Sequence, residues 1–330
     1  MEPHTKREDA MSDGKQRNGT RLYEQNWYAV AKSSEVAAGK AIGTDYLDGR
    51  VVVWRGEDGS PHVMSAWCAH LGADLSVGDV VGDEIRCAFH HWHYGADGVC
   101  SKIPSGDAIP PKARVTALPT VERWGLIWAF NGIEPLYPSP EFPDFVEREL
   151  RYRVVPVTEF PLEHWVVLTN SVDFQHLRVL HGLKITFDPN DVRIVDHGLE
   201  YEAQFESPEF GAFDQKIRVF GTNTICLRGT MGGQKMLTMY TGTPRPNGYT
   251  RGWVVSAAPR PPDETPEAIE FCDQQVAMTE AFFVGLIEQD TPVMSSIRFR
   301  EGALVPADRA LARFLKYVRS YPKANVLAEP

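Results

Sequence analysis

Cysteine is scarce, with five in 330 residues: Cys68, Cys87, Cys100, Cys226 and Cys272. So odd and sparse a set builds no disulfide framework and fits a reducing, cytoplasmic setting. Long apolar runs are missing as well. Leu126-Ile-Trp-Ala-Phe130 suits a buried strand, far short of the ~20 residues of a membrane span, and no span is expected. The first 20 residues hold charges, Gly, Asn and Ser without the apolar stretch of a signal peptide, and read as a flexible tail. Cationic character is low: 34 Lys and Arg face 44 Asp and Glu, a net charge of −10, which excludes a general nucleic-acid binder. No G-x-G-x-x-G follows a strand, so no nicotinamide or flavin site is evident. What remains is ordinary globular composition, 43% hydrophobic and 24% charged.

The length predicts about two domains. Residues 21–134 read as short strands punctuated by glycine. Pro135, Pro138, Pro140 and Pro143 mark residues 135–155 as a linker. In residues 156–330 the spacing predicts a helix over 161–181, antiparallel strands over 193–257, a long helix over 265–288 and a short one over about 307–321.

Cys68-Ala-His70 is followed, after sixteen residues, by Cys87-Ala-Phe-His90. Two loops that each supply one Cys and one His meet the needs of a [2Fe–2S] cluster with two thiolates on one iron and two imidazoles on the other. Structural zinc loops usually space their ligands by two to four residues, so the one-residue gap of Cys68-Ala-His70 fits zinc poorly. A second constellation, Asn170-Ser-Val-Asp173-Phe-Gln-His176-Leu-Arg-Val-Leu-His181, lies on the predicted helix over 161–181. Asp173 and His176, three apart, share a helix face. His176 and His181, five apart, stand about 140° from each other on an ideal helix, so they meet one metal only where the helix bulges or ends. Two His and one carboxylate form the Fe(II) site that binds O₂. For the carboxylate, Asp290 falls on the apolar stripe of Phe283 and Leu286, Glu288 lies off that stripe, and Asp173 is the other competitor.

The paired C-x-H and C-x-x-H motifs resemble the Rieske motif, with Trp92, Tyr94, Gly98 and Cys100 in the same surroundings; Ala88 and His91 depart from it. Joined to the second constellation and Asp290, they resemble Rieske non-haem iron oxygenase α subunits of the α-only type: ketosteroid 9α-hydroxylases, cholesterol 7-desaturases and small demethylases. The resemblance implies an α+β fold, a Rieske β-sandwich followed by a helix-grip (START-like) catalytic domain with an antiparallel sheet. It implies cluster ligands Cys68, His70, Cys87 and His90, iron ligands His176, His181 and Asp290, and functional roles for Asn170 and Asp173. Asp173 would link His176 to His90 of a neighbouring subunit in a homotrimer. Ala73 and Phe89 stand where respiratory relatives carry a disulfide, which implies a low potential, roughly −150 mV. The resemblance further implies an external ferredoxin or reductase, O₂ as co-substrate and a small hydrophobic substrate that is most simply monohydroxylated. Trp92, His91 and His93 are candidates for the donor's landing surface. Two other classes fit parts of the sequence: an electron carrier that uses only its cluster, and a ligand-binding helix-grip module.

Overall fold

In a computed structural model, the structure describes residues 21–328 except 209, 210 and 301. The expected tail over 1–20 lies outside the described residues. Antiparallel sheets build the N-terminal half. Gly49–Arg55 pairs on one side with Lys40–Tyr46 and on the other with Pro61–Ser65. Its uninterrupted apolar run reflects burial of both faces. Val51 and Val53 join Tyr28, Val30 and Ile127 in one core, and Val52 and Trp54 join Met64, Leu75, Ile85 and Tyr94 in another. The second core contains Cys68 and Cys87 and underlies their loops.

Trp27–Lys32 divides its side chains in the same way. Tyr28 and Val30 face inward, while Trp27 and Ala29 enter a large core that continues into the second half with Phe160, Leu199 and Trp253. Across this seam, Asn223 Nδ2 donates to the Trp27 carbonyl and Thr243 Oγ1 to the Ala29 carbonyl, each at 2.8 Å. The buried Trp27 and Ala29 carbonyls are thereby satisfied.

The second half is an antiparallel sheet of eight strands. The helix Pro266–Met294 lies against Leu150–Phe160, Thr250–Pro259 and Gln234–Pro244. Thr265 caps it by accepting from the Ala268 N–H at 3.2 Å, and Pro266 suits the first turn. The fold is therefore α+β, a β-sandwich followed by an antiparallel sheet that carries a long helix. This helix continues past 288 because its buried face continues, through Asp290 to Met294.

Three further features differ from the sequence-based reading. Residues 150–155, expected as linker, form the first half of Leu150–Phe160 and pair with Thr250–Pro259. The helix expected over 161–181 is broken into α1 (His164–Leu168), a 3₁₀ turn (Thr169–Ser171) and α2 (Phe174–Val179). Asp173 causes the break: at φ −90°, ψ 83° it leaves the helix, and its carboxylate accepts the His176 N–H at 3.1 Å. Asp competes with helical geometry in this manner and favours the N-cap. Finally, the chain returns to its start. Lys323–Ala324 pairs with Tyr23–Glu24, and Leu327 is buried in the N-terminal core.

Candidate active site

The two Cys-His loops are built alike. The Cys68 N–H donates to the Ala73 carbonyl at 2.9 Å, and the Cys68 carbonyl accepts from Gly72 at 2.8 Å. The Cys87 N–H donates to the Trp92 carbonyl at 2.9 Å, and its carbonyl accepts from His91 at 3.0 Å. The fourth residue after each cysteine is left-handed, Gly72 at φ 72° and His91 at φ 53°. Each turn keeps its cysteine buried and its histidine exposed. The His70 and His90 ring centroids lie 4.5 Å apart, and Trp92 stacks on His70 at 4.5 Å. Burial raises the Cys68 pKa, and the Tyr94 hydroxyl, 3.0 Å from Sγ, pulls against it. Two sulfurs inside and two imidazoles outside match the donor set of a [2Fe–2S] centre. All five cysteines are free. His93 is not part of the exposed tip. It is buried, with Nδ1 3.0 Å from Glu84 Oε2, whereas His91 is exposed and Trp92 half-buried.

The second site is brought together where α2 ends. Gly182 takes φ 65°, and the Leu183 N–H folds back to the Leu177 carbonyl at 3.1 Å. That return sets His181 Nε2 3.0 Å from His176 Nε2. Asp290 Oδ1 comes from the long helix to 3.3 Å from His176 Nε2 and 3.1 Å from His181 Nε2. Ligand atoms of these three residues all lie within 4.8 Å of one another. Glu288 is exposed, on the other side of the helix.

The hydrogen bonds behind these atoms say what the centre needs. His176 Nδ1 lies 3.1 Å from the Asp173 carbonyl, and His181 Nδ1 lies 2.9 Å from Gln289 Oε1. A carbonyl oxygen only accepts, so both Nδ1 atoms carry the proton and both Nε2 atoms turn lone pairs inward. Asp290 Oδ1 is buried with no aligned hydrogen bond. One proton cannot serve three converging lone pairs, whereas a divalent cation can. With protons in place of a cation, the same three groups act on one another as an acid–base cluster. Burial opposes ionisation of Asp290, but His176 and His181 hold its carboxyl down to about 2. Burial lowers the His181 pKa, and its bonds to Asp290 and Gln289 outweigh that and leave it raised.

The outer contacts differ from the helical reading. Asp173 does not share a helix face with His176. Its carboxylate caps α2, and its backbone carbonyl, rather than the carboxylate, holds the imidazole. Asn170 Nδ2 donates to Asp290 Oδ2 at 2.9 Å and so fixes the carboxylate. Gln289, the residue before Asp290, supports His181.

A cavity of about 150 Å³ opens on this triad, lined by Val167, Leu177, Ile225, Leu227, Phe283 and Leu286 among others. Phe205 and Phe213 line an adjoining lobe of about 80 Å³, while Phe220 belongs to the core.

Residues 26–120 match the Rieske [2Fe–2S] domain family. Over 193 residues the chain is 32% identical to a cholesterol 7-desaturase of Bombyx mori, covering 56% of this chain and 42% of that protein. Over 181 residues it is 34% identical to the oxygenase component of a 3-ketosteroid-9-alpha-monooxygenase of Rhodococcus rhodochrous, covering 51% and 46%. Among solved structures, NdmB of Pseudomonas putida CBB5 superposes with a TM-score of 0.71 at 20% identity, covering 89% of each chain. Dicamba monooxygenase bound to dicamba superposes at 0.66 and 21%, covering 91% of this chain and 97% of the other. Residues 26–120 thus form a Rieske-type domain, and the chain as a whole shares the fold of these solved structures. The matched stretch spans less than half the length of those curated relatives. As in the sequence-based reading, among the described residues no helix is long and apolar enough to cross a membrane.

Proposed function

We propose that this Rieske-type chain is an oxygenase that inserts one oxygen atom into a compact, mainly apolar molecule. The observation that carries this reading is the convergence of His176, His181 and Asp290 lone pairs on the wall of an apolar cavity, in a chain that also has a Rieske domain. His176, His181 and Asp290 would hold Fe(II), and Cys68, His70, Cys87 and His90 the cluster. When bound, the cluster supplies single electrons and the iron an open face for O₂. Written in full, R–H + O₂ + 2 e⁻ + 2 H⁺ gives R–OH + H₂O. With no nicotinamide or flavin motif of its own, the chain takes both electrons from an external ferredoxin or reductase.

The residues divide the work. The apolar walls desolvate the substrate and exclude bulk water from the reacting bond. Asn170 and Gln289 hold Asp290 and His181 in place. Asp173 Oδ1 caps α2, and the carboxylate as a whole carries the charge that would meet His90 of a neighbouring subunit. A head-to-tail trimer is supported by exposed apolar residues at both ends of such a contact, Leu71 and Phe89 on the cluster loops and Val179 and Leu180 beside His181.

The size of the cavity bears on the substrate. A dry core cavity of about 150 Å³ holds one benzene ring. With the adjoining lobe, the space suits a molecule of one or two rings. That is nearer to the caffeine and dicamba named with the solved relatives than to the cholesterol or 3-ketosteroid of the curated ones.

The test supplies a generic ferredoxin and reductase, screens one- and two-ring compounds, and follows O₂ uptake together with product mass. Substrate-dependent uptake with a gain of one oxygen is expected, and His176→Ala should abolish it while keeping the cluster absorption. Absence of uptake with any compound by a protein loaded with cluster and iron would reject the reading.

A further inference from the structure

The strand Gly211–Phe220 alternates inward and outward, and its inward residues Phe213, Ile217 and Val219 are apolar. Gln215 breaks the row. It is 2% exposed, and neither its Nε2 nor its Oε1 has a hydrogen-bond partner. A buried primary amide with both ends unmet is rare in a native core and marks a place where some partner is expected. Gln215 is also not simply wedged into packing. It lines the lobe that adjoins the metal-site cavity, and Ser171, Leu177, Ile225, Leu227, Phe283 and Leu286 line both spaces.

The neighbouring strand leaves room for this amide. Gln215 pairs in register with Gly229, and a Cβ placed on Gly229 would stand 3.0 Å from Gln215 Cδ and 1.8 Å from the Asp214 carbonyl oxygen. Bare glycine backbone therefore lies against the carboxamide. Among the described residues lining the lobe there is no Lys, Arg, Asp or Glu, so an ionised group would be desolvated there without a counter-charge.

We infer that Gln215 is a specificity-determining residue that receives a neutral hydroxyl or amide edge of the substrate, at the end remote from His176, His181 and Asp290. The inference rests on the oxygenase reading for the word substrate, and it deepens that reading by naming the class: one or two apolar rings with one neutral donor–acceptor group opposite the oxidised end. A primary amide donates from Nε2 and accepts at Oε1, which suits a hydroxyl or an amide edge and disfavours a carboxylate. Sites built to hydrogen-bond a polar group reject the analogue that lacks it far more strongly than apolar pockets reject an added methylene.

The experiment measures binding of two matched probes, indane and 5-indanol, to the cluster- and iron-loaded protein by calorimetry. The wild type should bind 5-indanol at least about tenfold more tightly than indane. Gln215→Met and Gln215→Leu should erase that preference while keeping indane binding and the cluster absorption, which shows that the fold and cavity survive. An unchanged ratio in a folded variant would overturn the inference and assign Gln215 to bound water or plain structure. Failure of either probe to bind the wild type would overturn it as well. Because binding is read without turnover, a lost preference together with absent O₂ uptake would keep the Gln215 assignment and reject the oxygenase reading.

Discussion

Asn170 and Asp290, 120 positions apart, meet through one hydrogen bond: Asn170 Nδ2 donates to Asp290 Oδ2 at 2.9 Å, leaving Oδ1 to face the two histidines. The amide thus selects which carboxylate oxygen points at the metal site. Asn170→Ala should weaken iron binding by about ten- to a hundredfold, the usual effect of losing such an outer contact. Iron content after dialysis against a graded chelator reads this directly. The cluster absorption should not change.

Asp173 carries two separable properties, a capping oxygen and a negative charge. Asn caps helices as well as Asp does, so Asp173→Asn should keep α2 and the iron content. It should still slow oxidation of a prereduced cluster in single turnover, if the carboxylate links subunits. Asp173→Ala should additionally destabilise the protein by ~1 kcal/mol through the lost cap. Equal single-turnover rates in wild type and Asp173→Asn would remove the charge from electron transfer.

His91 occupies a left-handed position at φ 53°, where its counterpart in the other loop is Gly72 at φ 72°. A residue with a Cβ is strained there and glycine is not. His91→Gly should raise the thermal midpoint of cluster loss or leave it unchanged, despite removing a side chain beside the cluster. Loss followed at the visible absorption band decides it, and a marked drop would mean that the imidazole itself steadies the loop.

Buried His164 gives the seam between the domains a pH dependence. Burial lowers its pKa, while Glu24, Glu163, Lys323 and Arg21 act on it from around, with Glu24 Oε2 at 3.4 Å. The unfolded chain therefore binds a proton below about pH 6.5 that the folded chain resists, so stability falls as pH drops from there towards the lowered value. His164→Gln should be less stable than wild type at pH 7.5, and the gap should narrow by pH 5.5. Urea midpoints at the two pH values check the sign.

The paired Cys-His loops and the meeting of His176, His181 and Asp290 were legible because each depends on a short spacing or a helical stripe. The break at Asp173 was harder to read. Residues 161–181 have helical composition, and only a local competition, the carboxylate against the next turn, ends α1's run and starts α2. Gln289 and Gln215 were invisible for another reason. Their meaning comes from what faces them across the fold, the His181 ring in one case and the bare backbone of Gly229 in the other. His93 was misplaced because alternation in a strand of two residues, His93–Tyr94, gives no periodic signal.

The pairing of Tyr23–Glu24 with Lys323–Ala324 has a consequence for biosynthesis. Asn131 Nδ2 lies 3.1, 3.2 and 2.9 Å from the carbonyls of Tyr23, Glu24 and Ala324, and Leu327 fills part of the N-terminal core. A domain whose residues emerge first from the ribosome is thus completed by residues near 325, a closure across some three hundred positions that local folding cannot anticipate. Until then the strand at Tyr23 has an open edge and the core lacks one of its leucines. The finished N-terminal core exists only on a chain whose second half has already been made.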